Sequence, residues 1–178
     1  ASNSFDLVVT SPPYLNAIDY LRGHRMALIW LGHKLSELRS IRSTSIGAEA
    51  ARQGDPTEAH ADLVCRVVKD AKQHDNRIQR LVLRYAHDML ELAGNVDRCL
   101  VVGGRVVVVV ADSLLKGKRI PTGDIVETAL ADKGLKVESV HTREIPATLR
   151  YLPVSKAGHQ LSKRMKSEYV ITATKAAS

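Results

Sequence analysis

Hydrophobic and polar positions along this chain fall into short unbroken apolar runs and longer stretches with helical spacing. Leu7-Val8-Val9 is a brief apolar run, and Val106 to Val110 is a run of five valines. Neither alternates with polar residues, so both read as buried strands, the second as a central parallel strand covered on two faces. Leu135 to Ile145 and Tyr169 to Thr174 read as two further strands. Residues 21–31 are amphipathic and predict a short helix ending near Gly32. Asp55-Pro56-Thr57-Glu58 places an acid, a proline and a glutamate where a helix begins, and Leu63, Val64, Val67, Val68 and Ala71 continue it. Ile78, Leu81, Val82, Tyr85, Met89, Ala93, Val96 and Leu100 recur at three- and four-residue spacing, a buried stripe on one long helix. Gly103-Gly104 reads as the end of that helix. Thr122 is the expected N-cap of a further helix through Ile125, Val126, Ala129 and Leu130, closed by Gly134.

The gaps between these elements carry their own signals. Residues 34–54 lose periodicity and are rich in Ser, Arg and Gly, which predicts a long loop. Such a loop serves either as a flexible connection or as a surface that reads a target. Residues 114–119 form a basic loop, and a long hairpin-like connection with Lys163, Arg164 and Lys166 precedes the last strand. Strands alternating with helices in this order predict an α/β domain. No internal repeat interrupts it.

Composition narrows the class only slightly. At 178 residues the chain reads as one domain, with 44% hydrophobic and 25% charged residues. The net charge of +7 fits an anionic partner such as nucleic acid, and equally a merely basic surface. Cys65 and Cys99 lie far apart in helical stretches with no ligand spacing, and the seven histidines form no cluster. A reduced, cytoplasmic protein without a metal site is expected. No apolar run has transmembrane length, so no membrane partner is expected.

The chemistry concentrates where the first strand stops. Thr10-Ser11 follows the apolar run, and two prolines follow at once. Pro13 fixes its own φ and holds Pro12 extended, so the chain cannot pass directly into a helix. A hydroxyl, a proline carbonyl and the Tyr14 ring are therefore held together at the carboxyl end of a strand, where open α/β sheets bind ligands. Asn16 and Tyr20 are further candidates, while Asp19 reads better as a turn or cap residue. Arg22 and Arg25 form either a solvated helix face or a set of phosphate contacts. Arg39 and Arg42, in the expected 34–54 loop, belong either to a flexible solvent-exposed connection or to phosphate and base-edge contacts.

Thr10-Ser11-Pro12-Pro13-Tyr14 resembles the catalytic motif of S-adenosylmethionine-dependent amino-methyltransferases, which methylate exocyclic amino groups of bases. The Ser form, with Tyr20 six residues after Tyr14, is most similar to the DNA cytosine-N4 type. Adenine-N6 enzymes more often carry Asp in that first place, and some RNA guanine methyltransferases share the motif. The resemblance continues through the glycine pair, the valine strand and Asp112-Ser113, with Val102 where the family usually has proline. It implies a partial Rossmann-like methyltransferase fold, strands four to seven of the sheet, with the last strand antiparallel and inserted beside the sixth. It implies catalytic roles for Ser11, Pro12, Pro13 and Tyr14, while Asn16, Tyr20, Arg22, Arg25, Arg39 and Arg42 stand as the candidate nucleic-acid contacts. S-adenosylmethionine is the implied cofactor and DNA the implied partner, with RNA, or a non-catalytic nucleic-acid-binding remnant of the fold, as the alternatives. Only Ser11 and Pro12 would touch the cofactor, because the glycine-rich turn after strand one is missing from residues 1–178. The chain is thus expected to be an inactive C-terminal half whose open sheet edge invites a homodimer.

Overall fold

The computed structural model describes residues 2–15, 20–46, 58–69, 75–116, 118–146 and 167–177. In chain order the elements are β1 (Phe5–Thr10), α1 (Tyr20–Trp30), α2 (Leu35–Thr44), α3 (Glu58–Val67) and α4 (Asn76–Cys99). They continue with β2 (Leu100–Val110), β3 (Ser113–Leu115), β4 (Lys118–Ile120), α5 (Thr122–Asp132), β5 (Leu135–Glu144) and β6 (Ser167–Lys175). The main sheet has the order β1-β2-β6-β5. β1 runs parallel to β2, whereas β6 is antiparallel to both β2 and β5. The expected mixed α/β sheet is therefore present, with its last strand inserted antiparallel beside the preceding one. No helix among the described residues is long and apolar enough to cross a membrane.

One face of the sheet carries the core. Val106, Val108 and Val110 of β2 and Ile171 and Ala173 of β6 are buried against α4 and α5, and α3 packs on those two helices. The stripe on α4 buries Ile78, Val82, Tyr85, Met89, Ala93 and Val96, as its spacing predicts. Asp75, just ahead of this helix, accepts hydrogen bonds from the backbone N–H groups of Arg77 (2.9 Å) and Ile78 (3.0 Å). Lys116 reaches the same carboxylate at 2.5 Å, from a turn between β3 and β4 where its own φ is 49°.

Several local expectations are corrected. Residues 35–44 are helical, not loop: Leu35, Leu38 and Ile41 fall at three-residue spacing, and Leu38 is buried. The Glu37 carboxylate accepts from the Lys34 N–H at 3.1 Å and secures the first turn. Residues 47–54, the remainder of the expected loop, lie outside the described residues, as do Asp55–Thr57 and the 147–166 connection. Ser113–Leu115 and Lys118–Ile120 pair as the antiparallel strands β3 and β4, where a basic loop is expected. Thr122 does not cap α5; its hydroxyl donates back to the Ala111 carbonyl at 2.5 Å, and Pro121 occupies the cap position.

Two corrections concern the strands themselves. Among the described residues the first is an edge strand, not fully buried: Val8 packs on the core, while Leu7 and Val9 on the other face are 56% and 65% exposed. β2 is central but parallel to only one neighbour, and Val107 and Val109 on its second face are half-buried. Gly103-Gly104 lies inside β2 and not at the end of α4. The pairing passes from Phe5↔Leu100 to Leu7↔Arg105, so extra β2 residues bulge out opposite Asp6. Gly103 has φ 79°, and a Cβ on Gly104 would stand 2.9 Å from the Val101 carbonyl and 3.1 Å from that of Phe5. Only glycine serves both positions.

The Asp75 cap generates an acid-stability prediction. The Lys116 hydrogen bond, then that of the Ile78 N–H, holds its carboxyl down to about 2 from an ordinary 3.8. Its folded-state value lies below the unfolded one, so its contribution is complete above about pH 4 and fades as the pH falls toward 2. Asp75→Asn keeps a capping oxygen but does not titrate. Urea unfolding at a series of acid pH values should show a shallower loss of stability for Asp75→Asn than for the native chain.

Candidate functional site

Four chain segments converge on one edge of the sheet because of strand register. Thr10 pairs with Val108, so Ser11–Tyr14 leaves β1 beside the last residues of β2. Val110 pairs with Tyr169, which brings the start of β6 to the same edge. Arg143 pairs with Glu168, which adds the end of β5. Ser11 is exposed there, Pro12 is buried, and Leu15 is buried in the core beneath. The two prolines and Leu15 thus fix the loop while the hydroxyl stays accessible.

Polar side chains tie the four segments together. The Tyr14 hydroxyl donates to Glu168 Oε1 at 3.2 Å, and Arg143 pairs with the other oxygen of the same carboxylate. The Tyr169 hydroxyl donates to Asp112 Oδ2 at 3.1 Å and accepts from Arg119 at 2.9 Å. Arg119 Nε also reaches Asp112 Oδ2 at 2.6 Å, and the Gly123 N–H at the start of α5 donates to Oδ1 at 3.3 Å. Burial and the neighbouring Asp112 carboxylate push the Asp124 carboxyl up. Both acids within the network, Glu168 and Asp112, are paired with guanidinium groups. Ser11 forms an exposed neutral lip at the same edge as the Arg119 and Arg143 side chains, which are 67% and 65% exposed.

Beneath this lip lies an anomaly. Tyr85 of α4 is fully buried, yet its hydroxyl has no hydrogen-bond partner among the described residues, and neither has the buried Ser113 Oγ just past β2. Burial, then the nearby Tyr14 and Asp88, push the Tyr85 phenol well above its ordinary value. It stays neutral at any physiological pH.

The structure brings together only part of the predicted set. Ser11, Pro12, Pro13 and Tyr14 share the edge. Arg25 and Arg39 are exposed on α1 and α2, in a helical pair that continues from the motif. Asn16 lies outside the described residues, as do the side chains of Tyr20, Arg22 and Arg42. Sequence reasoning missed Glu168, Arg143, Arg119 and the hydroxyl of Tyr169. Asp112-Ser113 as a polar pair at a strand end was the available signal, and it marks the centre of the network. Among the described residues no group of three or more metal-ligating side chains occurs.

Comparison with known proteins follows this geometry. No family model matches the chain. A 44-residue segment, 25% of the chain and 9% of its relative, is 41% identical to the Type II methyltransferase M.BsoBI of Geobacillus stearothermophilus. Among solved structures, the chain aligns over 99% of its length with a protein of Thermus thermophilus assigned as a DNA modification methylase. The identity is 16%, the TM-score 0.47, and 48% of that protein is covered. A second structure of it, complexed with S-adenosyl-L-methionine, gives 16% identity, a TM-score of 0.46 and the same coverage. The chain spans about half the length of these structures.

Two substitutions test the architecture of this edge. A Cβ on Gly123 would stand 2.7 Å from Cδ2 of Tyr169, so Gly123→Ala forces that ring off α5. It should cost roughly 1–3 kcal/mol in urea unfolding, through overpacking and loosened bonds to Asp112. Tyr85→Phe removes a buried hydroxyl that has no partner and keeps the packing. It should raise stability by about 1 kcal/mol, where loss of a satisfied hydroxyl would lower it.

Proposed function

We propose that this chain carries the base-binding part of an S-adenosylmethionine-dependent DNA amino-methyltransferase, acting on cytosine N4 in preference to adenine N6. The observation that carries the reading is the placement of Ser11-Pro12-Pro13-Tyr14 at the carboxyl end of β1, beside the central strand of a sheet ordered β1-β2-β6-β5. The match to a type II methyltransferase supports it.

An exocyclic amino group is a poor nucleophile because its lone pair is delocalised into the ring. The Ser11 hydroxyl oxygen and the Pro12 carbonyl accept its two N–H bonds, which favours tetrahedral nitrogen and localises the lone pair. This is positioning and electrostatic catalysis by preorganised acceptors. Ser11 is neutral and takes no proton at ordinary pH, so its role is orientation and not general-base chemistry. The Tyr14 ring offers a stacking surface for a base turned out of the duplex. Its hydroxyl is held by Glu168 and its loop by Pro12 and Leu15, so little ring motion must be frozen on binding.

The described residues fit the methyl donor only at this edge. Their left-handed glycines lie after α1 (Gly32), within β2 (Gly103) and after α5 (Gly134), so none forms a turn from a strand into a helix that would cradle an adenosyl group. Ser11 and Pro12 are one lip of the donor site. Among the described residues β1 pairs on one side only, so its outer edge offers a place for a further strand, from the same protein or from a second copy.

The intact protein, incubated with DNA and methyl-labelled donor, should yield labelled N4-methylcytosine after digestion to nucleosides. Label in N6-methyladenine would overturn the base assignment, and label confined to RNA guanine would overturn the DNA assignment. Absence of transfer would favour a nucleic-acid-binding remnant. Ser11→Ala should lower kcat by about 10²-fold. Tyr14→Ala should raise KM for DNA about tenfold with donor affinity unchanged. Equal loss of DNA and donor affinity would contradict the stacking role.

A further inference from the structure

The base site makes no use of the most exposed large apolar side chains among the described residues. α1 and α2 form a helical pair joined through Gly32, whose φ is 92°. At the junction Trp30 is 86% exposed and Leu31 77%, with Met26 and Leu35 also exposed beside them. An apolar tip of this size calls for a partner.

Charge identifies the chemistry of that partner. Residues 20–46 contain Arg22, Arg25, Lys34, Arg39 and Arg42 against the single acid Glu37, a net +4 out of +7 for the whole chain. Glu37 is itself engaged with the Lys34 N–H and lies 3.7 Å from the His33 ring. A second copy laid on this face would set like charges against each other. A nucleic-acid duplex offers the complement: anionic rails with an apolar base stack between them.

We propose that the α1–α2 hairpin grips duplex DNA, with Trp30 and Leu31 as an apolar wedge against the base stack and Arg25 and Arg39 on flanking phosphates. This rests on the reading of Ser11–Tyr14 as the base site and adds a second, separate contact to it. At 1.5 Å per residue, Trp30 lies about 15 Å along α1 from Tyr20, at the far end of that helix. The wedge sets affinity and register and leaves the chemistry alone.

Trp30 is the only tryptophan in the chain, so its fluorescence reports this contact directly. Titration with an unlabelled random-sequence duplex should quench Trp30 emission in step with the anisotropy of a fluorescein-labelled copy. Trp30→Ala should weaken duplex affinity about tenfold, with transfer at saturating DNA unchanged. Arg39→Gln should lower the slope of log affinity against log salt by about one. Both side chains are exposed, so circular dichroism should be unaltered. Duplex binding with unchanged emission and an unweakened Trp30→Ala variant would overturn the wedge and leave the base site standing. Emission that shifts with protein concentration in the absence of DNA, together with sedimentation as a dimer, would assign the tip to a second copy and overturn the proposal. Quenching by duplex with no methyl transfer to any base would instead overturn the base-site reading and leave the wedge.

Discussion

β2 is hydrogen-bonded along both edges, parallel to β1 and antiparallel to β6, and its register decides which side chains meet at the carboxyl end of the sheet. The alignment Thr10↔Val108 and Val110↔Tyr169 puts Ser11, Asp112 and Glu168 within one cluster. A slip of one residue would turn Val106, Val108 and Val110 off the core face and move the motif away from its partners. The bulge at Gly103-Gly104 absorbs the extra residues at the start of β2. A side chain on Gly104 would meet backbone carbonyls of both strands. The position of the candidate site thus rests on a strand-pairing constraint at the opposite end of the same strand.

Electrostatics then shape what that edge presents. Asp112 and Glu168 are each paired with an arginine, and each also accepts from a tyrosine hydroxyl. Charged groups of β5, β6 and the β3–β4 hairpin are held in ion pairs, while Ser11 keeps an exposed neutral hydroxyl at the same edge. Such a surface suits an uncharged amino group. Arg119 and Arg143 stay 67% and 65% exposed at that edge, and Arg25 and Arg39 are exposed on α1 and α2.

Much of this arrangement was legible from residue order because its signals are local. The apolar stripe of α4, the valine strand, the paired prolines and the helix stop at Gly32 each follow from spacing over a few residues. α2 was not legible, since only Leu38 of its stripe is buried and its Ser- and Arg-rich sequence resembles a loop. Gly103-Gly104 looks like a helix stop in isolation, and only pairing with Phe5 to Leu7 reveals a bulge. Thr122 looks like a cap, yet the Ala111 carbonyl competes for its hydroxyl. The Tyr14–Glu168 bond joins residues 154 positions apart, a contact made by strand order and not encoded in any window. The Tyr14 motif was readable, and the partners that hold it were not.

The central claim, that the β1 carboxyl edge receives a base turned out of the duplex, is tested most directly by photo-crosslinking. A duplex carrying 5-iodocytosine is irradiated with the intact protein, and the linked peptide is mapped by mass spectrometry. The account predicts a crosslink on Tyr14. Efficient crosslinking confined to peptides that lie elsewhere on the chain, with Tyr14 unmodified, would contradict it.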